Sequence, residues 1–80
     1  MAKKTYTQFY ANGVDYGKSL GQKLRKKKKG AKQAILRAYD TARLYSKRVG
    51  TYTAQGKMIT PQLACFYSGM ADGIFESQKA

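Results

Sequence analysis

Eighty residues allow one domain with a thin core, because a chain this short buries only roughly 60% of the surface that its unfolded form exposes. Sixteen Lys and Arg against four acids give a formal charge of +12, while 42% hydrophobic residues are too many for a wholly disordered tail. With no histidine, one cysteine and scattered acids there is no metal-ligand cluster, nucleophile–base pair or carboxylate pair, so the chain reads as a non-enzyme without catalytic residues, metal or cofactor.

Residues 1–5 read as a flexible N-terminus and 6–78 as a single helical domain. The N-terminal segment is basic but has no apolar h-region, and no apolar run approaches the ~20 residues that span a bilayer. One cysteine, Cys65, forms no intramolecular disulfide, which suits a reducing compartment. The expectation is a soluble cytoplasmic protein with no membrane partner.

From Tyr6 to Leu24 the residues Tyr6, Phe9, Tyr10, Gly13, Gly17, Leu20, Gly21 and Leu24 recur at three- and four-residue steps, with Gln8, Asp15, Lys18, Ser19 and Gln22 opposite. This spacing predicts an amphipathic helix. Its three glycines each weaken a helix by about 1 kcal/mol relative to Ala, so their place on the apolar face implies close approach of another helix. Within it, Asn12 to Ser19 resembles a Walker A loop with Asn where the first glycine belongs. The helical pattern and the lack of a preceding strand argue against a phosphate loop and leave at most weak anion binding by Lys18.

Gly30 follows a lysine run and suits the C-cap of that helix, with the preceding cations set against the negative end of its dipole. A second helix carries Ala31, Ala34, Ile35, Ala38, Ala42, Tyr45 and Val49 on one face and Arg37, Asp40, Arg43 and Lys47 on the other, ending near Gly50. Residues 51–59 are rich in β-formers around Gln55-Gly56 and permit a short β-hairpin, though a loop is the preferred reading. Thr60 and Pro61 then mark the N-cap and first position of a third helix, whose stripe Leu63, Phe66, Tyr67, Met70, Gly73 and Ile74 runs to about Ser77.

The fold class expected is therefore all-α: a small three-helix domain, an αα-hairpin plus a C-terminal helix. The first and third helices share a pattern, Phe9-Tyr10 ahead of Gly13 and Gly17, and Phe66-Tyr67 ahead of Gly69 and Gly73, in registers that differ by one residue. Small residues four apart suggest a common packing solution. The stripe Phe66, Tyr67, Met70 and Ile74 is large for so small a core and is a candidate homodimer face.

Charge carries the functional expectation. Lys23, Arg25, Lys26, Lys27, Lys28, Lys29 and Lys32 crowd into ten residues, whereas 58–78 contain no Lys or Arg. Each phosphate neutralised by such a cluster releases condensed counterions, so nucleic acid, DNA or RNA, is the expected partner. Lysines position a phosphate backbone without reading bases, and discrimination falls to the polar face of the second helix, with Gln33, Arg37, Arg43, Lys47 and Arg48.

In this reading the first two helices form a helix-turn-helix-like hairpin with one basic end from Lys23 to Arg48. Asp40 interrupts the face, and pairing with Arg37 or Arg43 would make it an ordinary solvated surface. Tyr16, Tyr39 and Tyr52 fall off or at the edge of the stripes, where they could stack on unpaired bases, while Tyr6, Tyr10, Tyr45 and Tyr67 read as core. Cys65 falls on the polar side of the third helix. A rival reading is a small viral-type inhibitor or modulator whose basic face docks on an acidic host protein or nucleoprotein; a third is a ribosomal or virion component that coats nucleic acid.

Overall fold

In a computed structural model, which describes residues 5–79, the chain forms three helices: α1 (Tyr6–Arg25), α2 (Ala31–Ser46) and α3 (Pro61–Ser77). The all-α expectation holds. Helix α1 starts where Thr5 accepts a hydrogen bond from the Gln8 amide while the Gln8 side chain accepts from the Thr5 amide, a reciprocal capping box. Thr5 is thus a fixed cap and not part of a loose tail; residues 1–4 of the expected flexible segment lie outside the described residues. Helix α3 starts as the sequence suggests, with Thr60 Oγ1 accepting from the Leu63 amide and Pro61 at the first position.

The seam between α1 and α3 is made mostly of backbone. A Cβ added to Gly13 would sit 2.0 Å from the Phe66 carbonyl oxygen, one on Gly17 2.1 Å from Met70 O, and one on Gly21 1.9 Å from Ser77 Oγ. From the other side, Gly69 faces Tyr10 O and Gly73 faces Val14 O, each 2.1 Å from an ideal Cβ. Each glycine therefore aims a Cα–H at a carbonyl or hydroxyl oxygen of the partner helix, a weak hydrogen bond that any side chain would displace. The partner numbers rise together along both helices, so α1 and α3 run parallel.

Helix α2 returns antiparallel on another face of α3, with Tyr45 against Tyr67 (ring centroids 5.1 Å apart) near one end and Tyr39 against Phe75 (6.4 Å) nearer the other. Helix α3 is the central element, and α1 and α2 touch each other far less than either touches α3. The α1–α2 hairpin is one of topology, with α3 completing the packing that the two do not make with each other.

Buried apolar side chains are few and mostly small: Ala42, Ala64 and Ala71 with Ile59 and Ile74. Several residues expected in the core are therefore at the surface, including Tyr6 and Tyr10, while Tyr45 and Tyr67 are half-buried. Ile74, placed on a candidate dimer face, is fully buried. Phe66, Tyr67 and Met70 are half-buried, and the first two rings pack within the chain against Tyr16 and Tyr45 respectively.

Two boundaries differ from expectation. Helix α1 is capped by Lys26, and Gly30, with φ 71, is the N-cap of α2 and not the C-cap of α1. Helix α2 stops at Ser46, where the Lys47 and Arg48 amides tighten onto Leu44 O and Tyr45 O, and this leaves Val49 exposed. In 51–59 a single antiparallel bridge, Tyr52 to Met58, closes a loop that also buries Ile59 and donates the Ala54 amide to Tyr45 Oη. No helix among the described residues is long and apolar enough to cross a membrane.

The seam makes a prediction of sign. Helix propensity alone says that Gly17→Ala stabilises by about 1 kcal/mol, whereas the collision with Met70 O says that it destabilises by about 3 kcal/mol. Urea unfolding followed by circular dichroism decides between them, with Ser19→Ala on the exposed face as control. Beside the seam, Tyr10 Oη donates to Asp72 Oδ2. That bond, then burial, then the charges of Asp72 and Glu76 raise the Tyr10 phenol above 10.0.

Because its folded-state value is raised, the contribution is fully present below the unfolded value and is lost as pH rises through the folded one. Tyr10→Phe is expected to lower stability at neutral pH by about 0.5 kcal/mol, little because the site is solvent-exposed. The gap should close in alkaline denaturation curves above about pH 10.

Candidate nucleic-acid interface

The direction of the helices decides what the lysine run sits beside. Since α1 and α3 are parallel and α2 antiparallel, the C-termini of α1 and α3 and the N-terminus of α2 lie at one end of the molecule. Lys23 and Arg25 occupy the last turn of α1, Lys26 caps it, Lys27 to Lys29 form the connecting bend, and Lys32 lies in the first turn of α2. All are exposed, and Lys79 joins them from the end of α3. Gly30, in the left-handed region that L side chains disfavour, reverses the chain after four lysines whose mutual repulsion opposes a continuous helix.

Counter-charge is sparse here. The carboxylate nearest this end of α3, Glu76, lies 3.9 Å from Lys79. Among the described residues no ion pair involves Lys23, Lys26–Lys29 or Lys32. Arg25 differs from its neighbours: its Nη1 donates to Ser77 O at 3.0 Å and so satisfies a terminal carbonyl of α3. Gln78 adds Nε2 bonds to Ser77 Oγ at 2.7 Å and Gly21 O at 3.4 Å, tying the end of α3 to α1. Part of the donor capacity assigned to Arg25 for phosphate is thus structural.

The single basic end expected from Lys23 to Arg48 divides in two. Lys47 lies fifteen residues beyond Lys32 on α2, about 22 Å along the axis at ~1.5 Å per residue. Lys47 and Arg48 therefore sit at the opposite end, where they open the 47–60 loop. Gln33 and Arg37 line a shallow outward surface with Leu36, Asp40 and Thr41. Among the described residues Asp40 pairs with neither Arg37 nor Arg43. Arg43 instead lies 5.7 Å from the Tyr39 ring centroid and, with Lys47, Ser46, Ser68 and Asp72, lines a polar cleft of about 350 Å³ between α2 and α3.

Sequence reasoning missed an apolar groove. Nearer the lysine end, α2 and α3 enclose a volume of about 540 Å³ lined by Lys32, Ile35, Leu36, Tyr39, Ile74 and Phe75. Leu36 is 60% exposed and Phe75 52%. The alternation Lys32, Leu36, Tyr39, Arg43, Lys47 at steps of three and four was a readable signal of one helix edge, but whether a neighbour covers that edge is settled by tertiary packing.

The Walker-like segment lies inside α1, with Gly13 and Gly17 buried against α3, and forms no loop around an anion. Cys65 is a half-buried free thiol. No group of three or more metal-ligating side chains occurs among the described residues. No protein-family model matches the chain. No curated protein and no solved structure matches it either.

Four adjacent lysines without acids between them strain the fold if they do anything to it. Replacing Lys26, Lys27, Lys28 and Lys29 together by Gln is expected to leave the thermal midpoint unchanged or raise it at low salt, with the gap shrinking as salt screens the repulsion. A clear drop in midpoint would mean that these side chains hold the fold together.

Proposed function

We propose that this chain is a small, non-enzymatic nucleic-acid-binding protein that grips phosphates with the lysine cap at the α1–α2 connection. The observation that carries the reading is the exposure of Lys23, Lys26–Lys29 and Lys32 in and on either side of one bend, with no carboxylate partner among the described residues. Such a cluster repels itself in the free protein and is relieved when phosphates replace its counterions. The first turn of α2 holds no acid and its N-cap has no side-chain hydrogen bond, so the positive pole of that helix adds to the field. Arg37, Arg43 and Lys47 extend the basic surface along α2.

A rival reading, docking on an acidic protein, draws on the opposite end, where Leu44, Val49, Tyr52 and Met58 are exposed beside Lys47, Arg48 and Lys57. Salt dependence separates the two. About six neutralised phosphates imply a slope of log affinity against log salt near −5 on a duplex and near −4 on a single strand. Fluorescence anisotropy with a labelled oligonucleotide measures it, and the Lys26–Lys29 to Gln protein should lose most of the slope. A slope near zero, together with an acidic partner that stays bound after nuclease treatment, favours the protein-docking reading.

A further inference from the structure

Resting on that reading, the geometry points to single-stranded nucleic acid as the ligand, held along the α2–α3 junction with an unpaired base in the apolar groove beside Phe75. The groove and the polar cleft are neighbours that share Tyr39 as a wall. Along the α2 edge the order is Lys32, then Leu36 and Tyr39, then Arg43 and Lys47, so cations flank an apolar and aromatic middle. The lysine cap continues the track beyond Lys32. Single-strand sites combine these two elements, cations that follow the phosphates and rings on which bases stack.

Phe75 is the side chain best placed to stack. Its ring is 52% exposed, and Lys79 Nζ lies over it 4.8 Å from the centroid, so a base stacks there by displacing that exposed ammonium, which then meets the adjoining phosphate. A duplex has its base faces stacked inside and offers this groove nothing apolar. A second copy of the chain would bring a further +12 to a groove edged by Lys32, whereas a polynucleotide brings the opposite charge. The span from Lys32 to Lys47, about 22 Å, is short enough to be covered by the ~4–16 nucleotides that single-strand sites take up.

The chain contains no tryptophan, so Phe75→Trp gives a single reporter at the stacking position. Titration with a mixed-sequence oligonucleotide of about twelve nucleotides, near the single-strand site sizes known, should quench this fluorescence, while the matching duplex should not. In anisotropy at about 0.1 M salt, Phe75→Leu keeps apolar bulk but removes the ring, and should weaken single-strand binding about tenfold with duplex binding unchanged. Circular dichroism melts establish that both variants fold.

If Phe75→Leu binds the single strand like wild type and the indole fluorescence of the Phe75→Trp protein is unmoved, while the Lys26–Lys29 to Gln protein still loses binding, the base site is wrong and the phosphate reading stands. Binding of the duplex as tightly as the strand by wild type also overturns the inference. Should the lysine substitutions leave binding of both nucleic acids intact, or wild type bind neither and prefer an acidic amphipathic peptide, both readings fall.

Discussion

The contact on which the structure depends is the close approach of α1 and α3, backbone to backbone at Gly13, Gly17, Gly69 and Gly73 and backbone to the Ser77 side chain at Gly21. Its stabilisation comes from dispersion over closely apposed main chain and from Cα–H···O contacts, each individually weak. What it demands is direction and register: oxygens of one helix must lie opposite glycines of the other, and a slip of one residue would put side chains there. Because the two helices run parallel, the chain must cross the length of the molecule between them. Helix α2 is that return, and the ends of α1 and α3 are brought together beside the bend that leads into it.

This seam also explains the surface. An interior built mostly from glycine and alanine, with Ile59 and Ile74 its only large fully buried side chains among the described residues, has little volume for rings, so aromatic side chains that would fill the core of a looser bundle lie at its edges. Tyr16 lies against Phe66, Tyr45 against Tyr67 and Tyr39 against Phe75, each pair joining two helices at the margin of their contact. A fold that economises on interior volume thus presents more apolar and aromatic surface than its size requires for stability. Exposed rings beside cations are a consequence of the glycine seam as much as of the amino acids at those positions.

Much of this was legible before any coordinates. The periodicities of three helices, the Thr60-Pro61 start and the shared glycine pattern of the first and third helices follow from local rules. The roles of Gly30 and Val49 were not, because a cap depends on where the hydrogen-bond ladder breaks, and that is settled by neighbours several residues away. Tyr6 and Tyr10 were misassigned to the core for a related reason: an apolar stripe marks the side facing a partner, but the seam is too narrow for rings. The lysine cluster was visible as a run of sequence. Its separation from Lys47 and Arg48 was not, until α2 proved continuous between them.

The distribution of charge follows the same architecture. Helix α3, covered by both neighbours, has no Lys or Arg between 58 and 78 and holds two of the four acids, Asp72 and Glu76, each engaged with a neighbour, Tyr10 and Lys79 respectively. The exposed face of α3 carries its charge as acids, and the excess positive charge lies at the α1–α2 connection and on the outer parts of α2. There it is exposed, and because consecutive lysines stand closer together than the screening length of about 8–10 Å, salt only partly relieves their repulsion. The same arrangement leaves an apolar groove bounded by Lys32 on one side and, past Tyr39, a cleft bearing Arg43 and Lys47 on the other. Packing thus sets rings and cations next to each other along the margin between α2 and α3, and a ligand with flat apolar units joined by anionic links is the kind that engages both together.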